Sequence, residues 1–467
     1  MEMPTRAGAA AVLPAELVPA AVNGTAPLGA SAIDLTDHGY AEREFYASGQ
    51  ANRYRNAVVG ALAAAEVIDG GHPYTTRVLV RWPLNPESFN GTLVVEWANV
   101  SAGQDIDFGW AESHKYLLRE GYAYAVVSAQ AVGVTQLRTW SPGRYGNLSV
   151  EADNTDPAAG EPVDTSFLPG DPGLPVAADP LCWDIIAQVS QALKENAQPD
   201  QPLPGLTVER VIAFGESQSA ARLTTYYNAI HPRHGLFDGF VYYDGAAQLR
   251  ADLATPAITV NTEAGAVLFQ RGVAADSADV RIWEVAGASH VSYQGVQYVD
   301  AMVLRDESMA GPSGPLSFTQ AVTALGPGHA PLWSMVDTGL VVGTAIDAVN
   351  QWIRRGLPAP GSAFFDRDAD GTLRRDSGGR VKGGIRLPHF QVPTADIRAV
   401  NTGPVFCQLA GHHRPYSPAE LKDMYTDHEG YLVRVRAAID DVARQGYLLP
   451  FDASQLLDEA MNWDISS

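Results

Sequence analysis

The chain has 467 residues, 46% of them hydrophobic, enough for one large catalytic domain with insertions or for two to three domains. Its 53 acidic against 32 basic residues give a net charge of −21, which repels nucleic acid and anionic membrane surfaces and argues against either as a partner. Two cysteines, Cys182 and Cys407, are too few for a disulfide framework and stand in no metal-type spacing; both read as buried free thiols, with one bridge between them as the alternative.

Residues 1–35 read as an irregular leader. Glu2, Glu16 and several prolines interrupt its apolar run, which makes a poor secretion signal. No later stretch reaches the roughly 18 apolar residues of a membrane span. The expectation is a cytoplasmic protein without a membrane segment. Sequons at Asn23, Asn90, Asn99 and Asn147 carry no weight without a secretion signal.

Residues 36–467 then read as a single domain. GYAEREFYASGQANRYR, from Gly39, alternates like an edge strand, and TTRVLVRWP, from Thr75, forms a second strand. GTLVVEWANV, from Gly91, is a strand apolar on both faces. FGWAESHKYLLREG is a helix ending at Gly121, and YAYAVVSAQ is the next buried strand. Residues 131–180 are rich in Pro, Gly and Asp and read as a lid or pocket-wall insertion. LCWDIIAQVSQALKEN returns to helical spacing.

VERVIAFGESQSAARLTTYYNAIHP is a strand, a tight turn and a helix, followed by strands in DGFVYYDG, PAITVNTE and VRIWEVAGASH. This alternation predicts an α/β fold: a mostly parallel central sheet with helices on both faces, antiparallel at its start. Residues 306–467 read as a C-terminal extension packed on the core. Within it SMVDTGLVVGTAIDAVNQWIRRG is a helix, FDRDADGTLRRDSGGRV a polar hairpin, and SPAELKDMYTDHEGYLVRVRAAIDDVARQGYLL helical, with a capping box at Ser417 and Glu420.

GESQS puts Ser217 between a buried strand and a helix, where a nucleophile elbow sits. The strained turn needs small neighbours. Gly215 supplies one, and Ser219 stands where a second glycine is usual. The plainer reading is a strand–helix turn with Ser217 as its N-cap. A serine hydroxyl needs a base, and in this fold the order is Ser, acid, His. His290, in the small-residue loop GASH after a strand, is the candidate. His231 and His234, in HPRHG, read as a helix end and surface turn. His412 and His413 are adjacent, point apart, and lack metal-type partners.

The acid that orients the imidazole is assigned to Glu263, at the end of AITVNTE, with Asp244 in YYDG as runner-up and Asp276 and Asp279 in the loop between. The oxyanion needs two backbone donors: Gln218 N–H, and one from the loop holding Asn99 and Val100, where Asn99 alternatively shapes the loop. Ser101, Trp97 and Trp110 are candidate pocket residues, with ordinary core or surface roles as the alternative; Asp105 lies close by. FDRDADGTLRRDS begins like a calcium loop but has Ser377 where the bidentate Glu belongs, and VKGGIRLP lacks phosphate-loop spacing. No metal and no cofactor is expected.

The blocks GYAEREFYASGQA, VVEWANVSAG, GESQSAARLTTYYNAIHP, RIWEVAGASH, GGIRLP and CQLAG resemble the bacterial α/β-hydrolase domain family over nearly the whole chain after the leader. The resemblance implies an α/β-hydrolase fold and a Ser–acid–His triad at Ser217, His290 and Glu263. It supplies no substrate. The function expected is hydrolysis of a small carboxylic ester through an acyl-enzyme. An acyltransferase on the same triad is the alternative, and a non-catalytic binding protein on this fold ranks below both. Sequence is silent on oligomeric state.

Overall fold

The computed structural model describes residues 11–21, 25–58, 60–164, 178–269, 277–326 and 328–463. The chain divides into two compact units, Met1–Trp110 with His114–Ala257, and Ala111–Ser113 with Ile258–Ser467.

The first unit is organised on a sheet. β1 (Glu16–Pro19), β2 (Tyr40–Arg55), β3 (Glu66–Pro83) and β5 (Ala123–Val127) run antiparallel to one another in that order. β4 (Thr92–Trp97) pairs parallel with β5 and with β6 (Arg210–Glu216), and β6 pairs parallel with β7 (Gly239–Tyr243). The parallel strands are buried along nearly their whole length, which accounts for their unbroken apolar runs. The leader is not wholly irregular: Glu16–Pro19 adds β1 to the edge that β2 was expected to form.

Residues 131–180 are more ordered than their composition suggests. Helices Ala131–Trp140 and Pro142–Tyr145 open the stretch, while residues 165–177 lie outside the described part. Asp164 and Asp179 both pair with the buried Arg222, whose Nη1 lies 2.5 Å from Asp164 Oδ1 and whose Nη2 lies 3.3 Å from Asp179 Oδ2. A buried guanidinium is tolerated here because two carboxylates share it.

Buried charge also shapes the start of the helix Phe108–Arg119. Glu96 on β4 accepts Gly109 N–H at 2.7 Å and Trp110 N–H at 3.2 Å, binding the positive helix end. Burial, reinforced by Asp107, pushes the Glu96 carboxyl well above its usual range. Cys182 and Cys407 are both buried and unbridged, and burial raises the Cys182 thiol, the direction of an inert core cysteine.

In the second unit β8 (Ala257–Thr262) and β9 (Val280–Val285) are neighbours. β9 makes further parallel bridges, Trp283 to Ala363 and Val285 to Ile385. The residues that pair with β9 thus flank the segment read as a polar hairpin, and across that segment Phe365 pairs with Gly383, Arg367 with Leu373 and Arg375 with Val381. The helix Thr338–Arg355 ends at Gly356, which takes the left-handed conformation. The last helical stretch is broken: Pro418–Tyr425 carries the Ser417–Glu420 capping box, and Asp427 caps a second helix, His428–Gln445. Among the described residues no helix is long and apolar enough to cross a membrane.

Candidate active site

β6 runs directly into the helix Ser217–Thr225, and Ser217 sits at the joint with φ of 51°. That left-handed conformation is uncommon for a residue with a Cβ and is held only when neighbours over-determine it. Two glycines do so. A Cβ on Gly215 would lie 2.9 Å from the Ala220 N and Cα atoms. A Cβ on Gly245 would lie 2.0 Å from the Ser217 carbonyl oxygen. Gly215 is legible in the motif; Gly245 is not, because its constraint comes from packing after β7.

Ser219, where glycine is usual, is fully buried, and its hydroxyl closes the turn. Oγ donates to the Glu216 carbonyl at 2.8 Å and accepts the Glu216 N–H at 3.0 Å. The Glu216 side chain accepts the Ser219 N–H in return, a capping box with glutamate as N-cap and serine at the third position.

The loop after β4 lies beside this turn, since Trp97 pairs in register with Gly215. Asn99 joins the two. Its Nδ2 donates to the Glu216 carbonyl at 3.1 Å and to Glu216 Oε2 at 2.8 Å, and its Oδ1 accepts Ser101 N–H at 2.8 Å. The Asn99 N–H is bonded to the Ile106 carbonyl at 3.0 Å. Asn99 therefore spends its donors on loop shape and leaves none for an oxyanion, correcting its candidate role as a donor. The N–H groups of Val100 and Gln218 have no hydrogen-bond partner among the described residues.

Ser101 is half-buried at the loop tip. Trp97 and Trp110 are core residues rather than pocket walls. Both are fully buried. Trp97 donates to Gln130 at 3.1 Å and packs edge-on to Trp183, while Trp110 lies beneath the Arg81 guanidinium at 4.5 Å. Asp105 is buried too, accepting Ser128 Oγ at 2.5 Å.

In the second unit His290 lies in a loop anchored residue by residue. Gly287 N–H donates to Glu263 Oε2 at 2.8 Å, and the Gly287 carbonyl accepts Ser334 Oγ at 2.6 Å. Ser289 Oγ accepts Ser334 N–H at 3.1 Å and donates to the Val291 carbonyl at 2.7 Å. His290 N–H donates to the Leu409 carbonyl at 3.0 Å. Ser292 gives both its N–H and its hydroxyl to Glu112, each at 2.7 Å. Glu112 also explains Gly295, where a Cβ would lie 2.6 Å from Glu112 Oε1. The His290 ring is largely buried and meets Phe269 edge-to-face at 6.0 Å, and Phe269 itself is 39% exposed.

Glu263 begins a short helix after β8, as expected of a strand-end acid. Its carboxylate is bound by Gly287 N–H and by Arg375 Nη1 at 2.7 Å, and among the described residues these are its hydrogen-bond partners. Asp244, in the first unit, is fully buried, follows β7 and has φ of 46°, with Gly245 next to it against the elbow. Asp279 precedes β9 while His290 follows it, so the two sit at opposite ends of that strand. Asp276 lies outside the described residues. Glu112, Ser334, Arg375 and Phe269 were not singled out from sequence, because each acts across the chain and none stands in a recognisable motif.

His231 is buried and His234 half-buried, rather than at a surface turn. His231 Nε2 meets Thr255 Oγ1 at 3.1 Å, and His234 contacts Tyr226 and Tyr54, with burial lowering its pKa. The His412 ring lies tilted against His329, with centroids 4.8 Å apart, while His413 Nδ1 bonds the Trp333 carbonyl at 2.9 Å. Among the described residues no group of three or more His, Cys, Asp or Glu could hold a metal ion.

Comparison with solved structures finds several distant likenesses. A serine hydrolase homologue from Coxiella burnetii is 11% identical, with 51% of this chain and 93% of that one covered and a TM-score of 0.28. A serine hydrolase without a lid from Xanthomonas campestris is 10% identical, covering 56% and 92%, with a TM-score of 0.29. A rice cell wall degrading esterase from Xanthomonas oryzae is 12% identical, covering 44% and 43%, with a TM-score of 0.22. No curated protein matches the sequence. The family model described as an alpha/beta hydrolase domain matches residues 11–458, and the chain belongs to that family.

Proposed function

We propose that the protein is a serine hydrolase that cleaves a small carboxylic ester. Ser217 attacks the carbonyl carbon, its proton passes to His290, and the alcohol departs with that proton. Water activated by His290 then hydrolyses the acyl-enzyme and restores the serine. The N–H groups of Gln218 and Val100 receive the developing oxyanion.

The observation that carries this reading is the backbone of Ser217. A left-handed serine at a strand–helix joint, pressed by Gly215 and Gly245, is the conformation that presents a hydroxyl outward at a sheet's carboxyl end. An N-capping serine has no need of it, and here Glu216 already fills the capping role. The test is hydrolysis of p-nitrophenyl esters of increasing acyl length. Ser217→Ala should reduce kcat by about 10³-fold or more and abolish labelling by a fluorophosphonate. Full activity in that variant would sink the proposal.

The acid has two readings. Glu263 follows the penultimate strand, but its oxygens bind Gly287 and Arg375. Asp244 is the more buried and holds a strained backbone beside the elbow, which favours it. Asp244→Asn should then lower kcat by about 10²-fold or more, while Glu263→Gln costs about tenfold or less. The reverse order returns the role to Glu263.

A further inference from the structure

The second unit contains a cavity of about 430 Å³, and its walls come from segments that also anchor His290. Tyr293 and Val296 lie on the helix that starts one residue after Ser292, the residue held by Glu112. Trp333 directly precedes Ser334, which clamps Gly287 and Ser289. Cys407 stands two residues before Leu409, whose carbonyl takes the His290 N–H. Three separate connections thus join the cavity wall to the segments that anchor the histidine.

The wall at Trp333 is built under constraint. Trp333 has φ of 76°, a region that a bulky residue enters only when held there. Its indole N–H donates to Thr319 Oγ1 at 3.0 Å, its carbonyl accepts from His413 Nδ1 at 2.9 Å, and its ring stacks on Phe318. Asp300 also lines the cavity, joined to Trp333 through Thr319, which bonds both. Thr319 N–H occupies its Oδ1 at 2.8 Å, which leaves Oδ2 without a hydrogen-bond partner among the described residues.

We infer that this cavity is a binding site for a small amphipathic ammonium compound, and that occupancy acts on the His290 loop. The apolar walls take the body of the ligand, as in most small-molecule sites. Asp300 pairs with the ammonium, and the aromatic rings add attraction for a cation. An anionic ligand would meet Asp300 and a net charge of −21. The binding does not depend on the ester-hydrolase reading.

Calorimetric titration of the full chain with benzylammonium, and with benzyl alcohol as its uncharged counterpart, tests the site. Saturable binding of benzylammonium is expected, at least tenfold weaker for benzyl alcohol and at least tenfold weaker in Asp300→Asn. Thr323→Trp, at an exposed helical position on the cavity wall, should abolish it without disturbing the core. Absence of saturable binding to the wild type, or equal binding in both variants, overturns the site. With an ester substrate, saturating benzylammonium should change kcat at least twofold in the wild type and not in Thr323→Trp. Unchanged turnover in a protein that binds the amine overturns the coupling to His290, and a protein that binds but hydrolyses no ester overturns the proposed function instead.

Discussion

Ser217 holds a conformation that costs a non-glycine residue about 1–3 kcal/mol, and its neighbours are shaped to enforce it. Gly245 is the most exacting of them. Gly245→Ala would drive a methyl group into the Ser217 carbonyl, so it should cost about 2 kcal/mol or more and lower kcat at least tenfold. Thermal unfolding and ester turnover of that variant check this. Ser219→Gly should be milder. It removes two hydrogen bonds, worth about 1 kcal/mol in net stability, and leaves activity within a few-fold. Gly215, Ser217 and Ser219 are readable from sequence because the turn is local. Gly245 is invisible there, since its neighbour is reached only through sheet packing. Trp97 and Trp110 misled for the related reason that proximity in sequence to a loop says nothing of which way a side chain turns.

The loop from Gly287 to Ser292 gains its order from hydrogen bonds that no local pattern encodes. Its anchors come from Glu112, Ser334 and Leu409, together with Glu263, which Arg375 holds. Under the proposed mechanism such anchoring preorganises His290, and loosening it lowers turnover more than binding. Ser334→Ala removes the hydroxyl that donates to the Gly287 carbonyl and accepts the Val336 N–H, while the bond from the Ser334 N–H to Ser289 remains. It should reduce kcat about tenfold with KM within twofold, read from steady-state kinetics. The strands themselves were plain in the sequence, with β4 to β9 found by their apolar runs. The helices inside residues 131–145 were not, because Pro, Gly and Asp obscure short helices in composition.

Two half-buried histidines, His389 and His234, couple the stability of the folded chain to pH. His389 is held at about 4 against an ordinary 6.5 because burial disfavours its charged form, and His234 shifts in the same direction by burial. Above pH 6.5 both are neutral folded or unfolded, and no difference arises. As pH falls from 6.5 toward 4, the unfolded chain binds protons that the folded chain refuses, and stability is lost across that window. For His389 the loss reaches about 2 kcal/mol at pH 5. Tm should fall between pH 7 and pH 5, and His389→Leu should flatten that fall. The division of the chain at Ala257 and Ile258 was not legible either, since no linker composition marks it and β8 itself spans the boundary.

The anchoring of the His290 loop also bears on how such a chain can be shortened. A gene fragment ending just after residue 290 would still encode Ser217, both candidate acids, the oxyanion donors and the histidine. It would lack Ser334, Arg375 and Leu409. A deletion series read by motifs alone would judge that fragment sufficient, whereas the proposed mechanism predicts that it is inactive. Under the proposed mechanism the smallest working gene is set by the partners of His290, and those extend more than a hundred codons past it.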